Sequence, residues 1–299
     1  MTTLDDLKQK CPNIPGLQVV MSDELFPTYE GNRPLLIVEN SLAKLVLSPH
    51  GAHVISFIPA DGDDLLWMSP QCVMTQGQPI RGGIPLCLPW FGPGVDGRPQ
   101  HGYGRINDWE LENVTAEADG STSLVLTQPY TTGDLPTPGG FDFRLEINVG
   151  KALGMDLSAT NRTSEEQKFE LAYHTYFNVG DVRKTTVEGL DGVVSINGRD
   201  DNRRATQQGA VSVEPPVQMV YLDVPQTQWV RSPAGDCCID GDSQAALIWN
   251  PGTDDADVPD IGAGNHKGFI CVERMDAREQ AVTLAPGQTH RAKMSLSRP

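Results

Sequence analysis

From Phe141 to Val149 apolar and polar residues alternate without a break. Phe141, Phe143, Leu145, Ile147 and Val149 point one way, and Asp142, Arg144, Glu146 and Asn148 the other. A period of two sends successive side chains to opposite faces, so this run reads as a strand with one face in a core and one in water. Shorter strand-like runs recur at 35–39, 43–47, 53–58, 65–67, 109–114, 124–127, 153–159, 169–178, 185–188, 228–230, 245–250, 269–273 and 281–284. Helical patterning is confined to residues 1–16, where Leu4 and Leu7 share one side of a turn or two before Pro12 and Pro15. The acidic, glycine-rich run 253–264 is too polar for a strand and reads as a long loop. Many short strands, punctuated by 30 Gly and 23 Pro, predict an all-β fold. The expectation is a single large antiparallel β-sandwich spanning residues 1–299, with 1–16 as an N-terminal extension holding a short helix.

Two of these strands carry chemistry on one face. In the first, Phe169, Leu171, Tyr173, Thr175 and Phe177 share the greasy side, while Glu170, Ala172, His174, Tyr176 and Asn178 share the other. In the second, 268–274, Phe269, Cys271 and Glu273 alternate with Ile270, Val272 and Arg274. An imidazole at 174 and a carboxyl at 273 facing one cleft would suit general acid and general base work near neutral pH, with the carboxylate keeping the imidazole protonated. The plainer role of each, a hydrogen-bonded structural His or Glu, stays open on sequence alone, and His50 and His53 are read as structural.

Composition narrows the partners. The net charge is -16, from 39 acidic and 23 basic residues, which argues against nucleic acid or an anionic membrane. An anionic ligand would need arginines that reverse the sign locally. No signal-peptide pattern and no apolar run of membrane-spanning length occurs, so a soluble cytoplasmic protein is expected. Six cysteines without a Cys-x-x-Cys spacing read as reduced thiols, and no metal site is expected.

The densest glycine, proline and arginine region is 79–105. It contains Arg81-Gly-Gly-Ile-Pro, Pro89-Trp-Phe-Gly-Pro and Gln100-His-Gly-Tyr-Gly-Arg105. Glycine lets backbone approach a ligand, and two guanidinium forks, Arg81 and Arg105, would form an anion clamp if they converge. Gln100 and His101 could donate to sugar hydroxyls; a turn role fits them equally. The aromatics Tyr173, Tyr176 and Trp249 are candidates for excluding water. Phosphate-loop, zinc-protease, serine-hydrolase and dinucleotide-binding signatures are all missing.

These blocks, together with His174-Thr-Tyr-Phe-Asn-Val-Gly-Asp and Cys271-Val-Glu273, stand in an order that resembles the hexose-6-phosphate mutarotases (glucose-6-phosphate 1-epimerases) of the aldose 1-epimerase superfamily, over residues 40–290. The resemblance implies a galactose-mutarotase-type sandwich that works without a cofactor, as a monomer on a small sugar phosphate. It implies His174 as the acid on the ring oxygen and Glu273 as the base on the C1 hydroxyl. It also implies Arg81 and Arg105 as the grip on the 6-phosphate, and Gln100 and His101 as substrate contacts. Two departures stand out. Gln218-Met-Val-Tyr replaces an Asp-Arg-Val-Tyr element whose Asp contacts the sugar, so Gln218 is expected to meet a hydroxyl as an amide. Tyr103-Gly104 replaces a bulky residue followed by Ala. A non-catalytic sugar-phosphate binding module and a mutarotase of neutral aldoses are the alternatives.

Overall fold

A computed structural model describes residues 2–11, 13–129 and 140–299. Two large antiparallel sheets make up most of it. The nine-stranded sheet runs, in spatial order, Val211–Ser212, Thr186–Glu188, Thr227–Arg231, Cys237–Gly241, Thr289–Ser297, Ala152–Asn161, Phe141–Val149, Thr122–Gln128 and Glu110–Ala116. The eight-stranded sheet runs Arg203–Thr206, Val194–Asn197, Val217–Leu222, Ala245–Asn250, Phe269–Asp276, Leu171–Tyr173 and Leu86–Cys87, with Tyr176–Asn178 also paired to Phe269–Asp276. A four-stranded sheet, from Leu17–Met21 to His53–Pro59, adds Leu36, Leu45, Leu47 and Val54 to the common core.

The alternation at Phe141–Val149 is realised in full: its five apolar residues are buried, each 1% exposed or less, against Leu153, Met155 and Leu157 of the next strand. Tyr173 joins the two large sheets. Its hydroxyl donates to the Ala292 carbonyl at 2.8 Å and accepts from the Leu157 amide at 3.1 Å, so it lies in the inter-sheet core and not at a ligand site, contrary to the water-excluding role considered for it. Tyr173→Phe orphans both backbone groups and is expected to cost about 1–3 kcal/mol in urea unfolding; a midpoint unchanged from the parent would sink the bridging role.

The run expected as one strand at 169–178 is three short ones, Gln167–Phe169, Leu171–Tyr173 and Tyr176–Asn178. The ladder breaks because the Thr175 amide turns back to the Tyr173 carbonyl at 2.9 Å. The face assignment survives the break: Phe169, Leu171, Tyr173 and Phe177 enter the core. The run 65–67 makes only an isolated bridge, Leu66 to Phe177. The acidic loop holds a 3-10 helix, Gly252–Asp257. A capped helix at Leu4–Lys10 buries Leu7, while the stop assigned to Pro12 lies outside the described residues. Among the described residues eight strands were not anticipated, including Val217–Leu222 and Thr289–Ser297. Among the described residues no helix is long and apolar enough to cross a membrane.

Candidate active site

Register creates the site. Tyr173 pairs with Arg274 and Tyr176 with Cys271, so counting inward sets His174 directly opposite Glu273. Opposed residues of an antiparallel pair point to the same face, and His174 Nε2 lies 3.3 Å from Glu273 Oε1. The rung continues through Leu247 and Val220. The neighbouring rung reads Tyr176, Cys271, Trp249 and Gln218. These two rungs, on the sheet face turned away from the sandwich core, floor a cleft of about 390 Å³ lined by Arg81, Gln100, His101, His174, Gln218, Trp249, Glu273 and Arg278 among others. Small-molecule pockets span about 300–1,000 Å³.

The glycine-rich segment is stitched to this floor by backbone. The amides of Glu170, His174 and Tyr176 donate to the carbonyls of Pro89, Pro85 and Gly83. Gly83 adopts φ +59, and a Cβ there would meet the Val54 carbonyl oxygen at 2.2 Å, which is why the close passage needs glycine. The imidazole of His174 stacks on Tyr176 at 4.9 Å and 8°.

Burial governs the pair. It lowers the pKa of His174 well below its ordinary 6.5, helped by the neighbouring His101 ring and by the positive charge of Arg105 and Arg81. It raises Glu273 well above its ordinary 4.5, against the pull of Arg278 and Arg105. Both directions run against the expectation that the carboxylate keeps the imidazole protonated, because desolvation outweighs their attraction. Both shifts favour the neutral forms, an unprotonated imidazole beside a protonated carboxyl. Nδ1 of His174 and Oε2 of Glu273 are buried with no hydrogen-bond partner among the described residues, as groups that meet a ligand would be.

His101 is held at φ +63, and its Nδ1 accepts from the Gly92 amide at 3.2 Å. Burial first, then Arg105, Arg81 and Arg278, lowers its pKa to about 3. It is thus a neutral imidazole, and its Nε2 lies 3.1 Å from the side-chain amide nitrogen of Gln100. Arg81 and Arg105 do not form an empty clamp. Arg81 donates through Nε to Asp260 and through NH1 to the Tyr176 hydroxyl. Arg105 is buried beneath the loop, donates to the Gln100 carbonyl at 2.9 Å, and is not among the residues lining the cleft. Arg278 and Asp260 escaped the sequence reading. Arg278 follows Glu273 by five, which in a continuing strand would put it on the opposite face; only the turn Arg278–Gln280, entered at φ +58, brings it back. Of the plain structural readings, His50 bonds Asp108, His53 bonds the Gly82 carbonyl, and all six cysteines are free.

Fold and cleft together define a galactose-mutarotase-like β-sandwich. The crystal structure of "a putative mutarotase" from Salmonella typhimurium superimposes with a TM-score of 0.81 at 25% identity, covering 88% of this chain and 90% of that one. The sequence profile named Aldose 1-epimerase matches residues 34–297. A "Putative glucose-6-phosphate 1-epimerase" of Escherichia coli K12 is 33% identical over 259 residues, 83% of this chain and 85% of the relative. One of the same description from Cenchrus ciliaris is 30% identical over 299 residues, 92% and 87%. The chain belongs to the aldose 1-epimerase family, and as such it is an isomerase acting on sugar anomers.

Proposed function

We propose that the substrate is a hexose 6-phosphate, whose α and β anomers the cleft interconverts, with His174 and Glu273 as the proton-transferring pair. The observation that carries the chemistry is their 3.3 Å approach on one rung. The ring oxygen and the C1 hydroxyl are bonded to the same carbon, so the donor and acceptor serving them must be neighbours. When sugar hydroxyls fill the cleft and hydrogen-bond the carboxyl, its proton crosses the contact to His174. The imidazolium then protonates O5 as the C1–O5 bond breaks, with the electron pair going to O5. Glu273 takes the hydrogen of the C1 hydroxyl, whose electrons form the carbonyl. The aldehyde turns about C1–C2 and the steps reverse onto its other face. The pair holds one proton at every stage, so no exchange with solvent is required. Gln100, His101 and Gln218 are assigned to hydroxyls, and Tyr176 and Trp249 to shielding. Arg81 and Arg105 are assigned to the positive field that offsets the acidic chain around a phosphate ester.

Exchange NMR of glucose 6-phosphate tests this directly. Saturable acceleration of α/β exchange, with kcat/KM above that for glucose, is expected. Exchange of glucose alone would move the chain to neutral aldoses, and calorimetric binding without exchange would make it a binding module.

The profile of kcat/KM against pH, which reports the ionisations of the free protein, follows from the pair. Activity is lost on the acid side only when His174 must be charged beside a protonated Glu273. Burial lowers that ionisation below 6.5, so the acid limb is expected below that value, the two limbs belonging to the pair as a unit. An acid limb at or above 6.5 would contradict the shared proton.

A further inference from the structure

We propose that Arg278 is the residue that reads the phosphate of the sugar, presented to the cleft by a turn that buried Glu170 holds in place. The inference rests on the hexose 6-phosphate reading and gives it a specificity-determining side chain. Three arginines surround the cleft, and their commitments differ. Arg81 is spent on Asp260 and Tyr176, and the charge of Asp260 offsets its own. Arg105 lies 8% exposed under the Gln100 carbonyl. Arg278 lines the cleft, is exposed, and its guanidinium has no hydrogen-bond or ion-pair partner among the described residues. A free planar fork beside a chain of net charge -16 is what bidentate capture of a phosphate needs.

Its backbone is built for display. Arg278 sits at φ +58, a left-handed conformation that a residue with a Cβ keeps only when its surroundings impose it. The imposing group is Glu170, itself 8% exposed. One carboxylate oxygen accepts from the Arg278 amide at 3.0 Å and from Lys168 at 2.9 Å, and the other accepts from the Phe91 amide at 2.9 Å. Glu170 thus joins the turn carrying Arg278 to the Phe91-Gly92-Pro93 wall, on the same strand face that carries His174 four residues on. The flanks of the turn are tied as well: Glu279 pairs with Arg204, and Gln280 donates to Asp223. Arg278 is the unanchored side chain between anchored neighbours.

The experiment compares kcat/KM for glucose 6-phosphate with kcat/KM for glucose in the parent, Arg278→Gln, Arg278→Lys and Glu170→Gln. Loss of a charge-assisted contact predicts that the ratio falls by about 10- to 100-fold in Arg278→Gln, chiefly through KM. Lysine keeps the charge without the fork, so Arg278→Lys should keep more of the ratio than Arg278→Gln. Glu170→Gln leaves one of two amides without its acceptor and should lower the ratio while kcat is retained, which a merely structural defect would not do. A ratio in Arg278→Gln within about threefold of the parent would overturn the assignment, as would a lysine variant that discriminates worse than the glutamine one. A parent that fails to accelerate glucose 6-phosphate exchange would instead defeat the hexose 6-phosphate reading itself.

Discussion

His174→Ala and Glu273→Gln are each expected to reduce kcat for anomer exchange by about 10²–10⁴-fold, the usual worth of one positioned proton transfer. The double variant should be little worse than either single one. Opening the ring needs a proton delivered to O5 and another removed from the C1 hydroxyl in the same passage, so losing one partner idles the other, and effects within such a unit do not add. Glu273→Gln keeps the shape and burial of the side chain, which allows a control on folding. Glu273 has a folded pKa raised above 4.5 by burial. A raised pKa means that the unfolded chain releases the proton first as pH rises, so the parent loses stability between 4.5 and that raised value. The amide has no proton to lose. Glu273→Gln should therefore melt at least as high as the parent at alkaline pH while being inactive. Parent-like exchange rates in both single variants would remove His174 and Glu273 from the chemistry.

Which residues face which way could be read from the chain, because burial on one side of a strand leaves a period-two trace. That trace was clear for Phe141–Val149 and correct for the faces of His174 and Glu273. What it could not supply was register. Whether His174 meets Glu273, Val272 or nothing depends on pairing between strands about a hundred residues apart, and pairing is settled by packing in the finished sheet. The same limit hid Cys237–Gly241, buried on both faces, and Val217–Leu222, whose first half is half-buried on either face and whose second half is wholly buried, so neither alternates cleanly. It also hid Arg278, which reaches the cleft through a left-handed turn that nothing local announces. Asp260 illustrates the converse: its acidic loop was recognised as a loop, but no pattern along the chain says that a loop carboxylate will neutralise Arg81.

Arg274→Ala is expected to destabilise the fold by about 3–5 kcal/mol, the scale for removing one member of a buried polar network. Arg274 adjoins Glu273 but faces the opposite way, and it is 0% exposed. Its guanidinium donates to the carbonyls of Pro225, Gly241 and Ser243 at 2.8, 2.7 and 2.6 Å. Those three carbonyls flank Thr227–Arg231 and Cys237–Gly241 of the nine-stranded sheet, so one side chain fastens the Glu273 strand to the turns of the opposing layer. Burial lowers its pKa to about 10, against the pull of Asp276, Asp242 and Asp240, so it stays charged at neutral pH. Truncation leaves the carbonyls unpaired and opens a cavity where the stem lay. At roughly 2–4 °C of melting temperature per kcal/mol for a domain of about this size, the midpoint should fall by about 6–20 °C. Arg274→Lys should recover only part of this, because one ammonium cannot span three acceptors in a fixed fork. Arg274→Met should recover less, since it refills volume and leaves the carbonyls bare. A melting temperature of Arg274→Ala within about 2 °C of the parent would mean that the opposing turns are held by other contacts, and that the Glu273 strand keeps its place without this anchor.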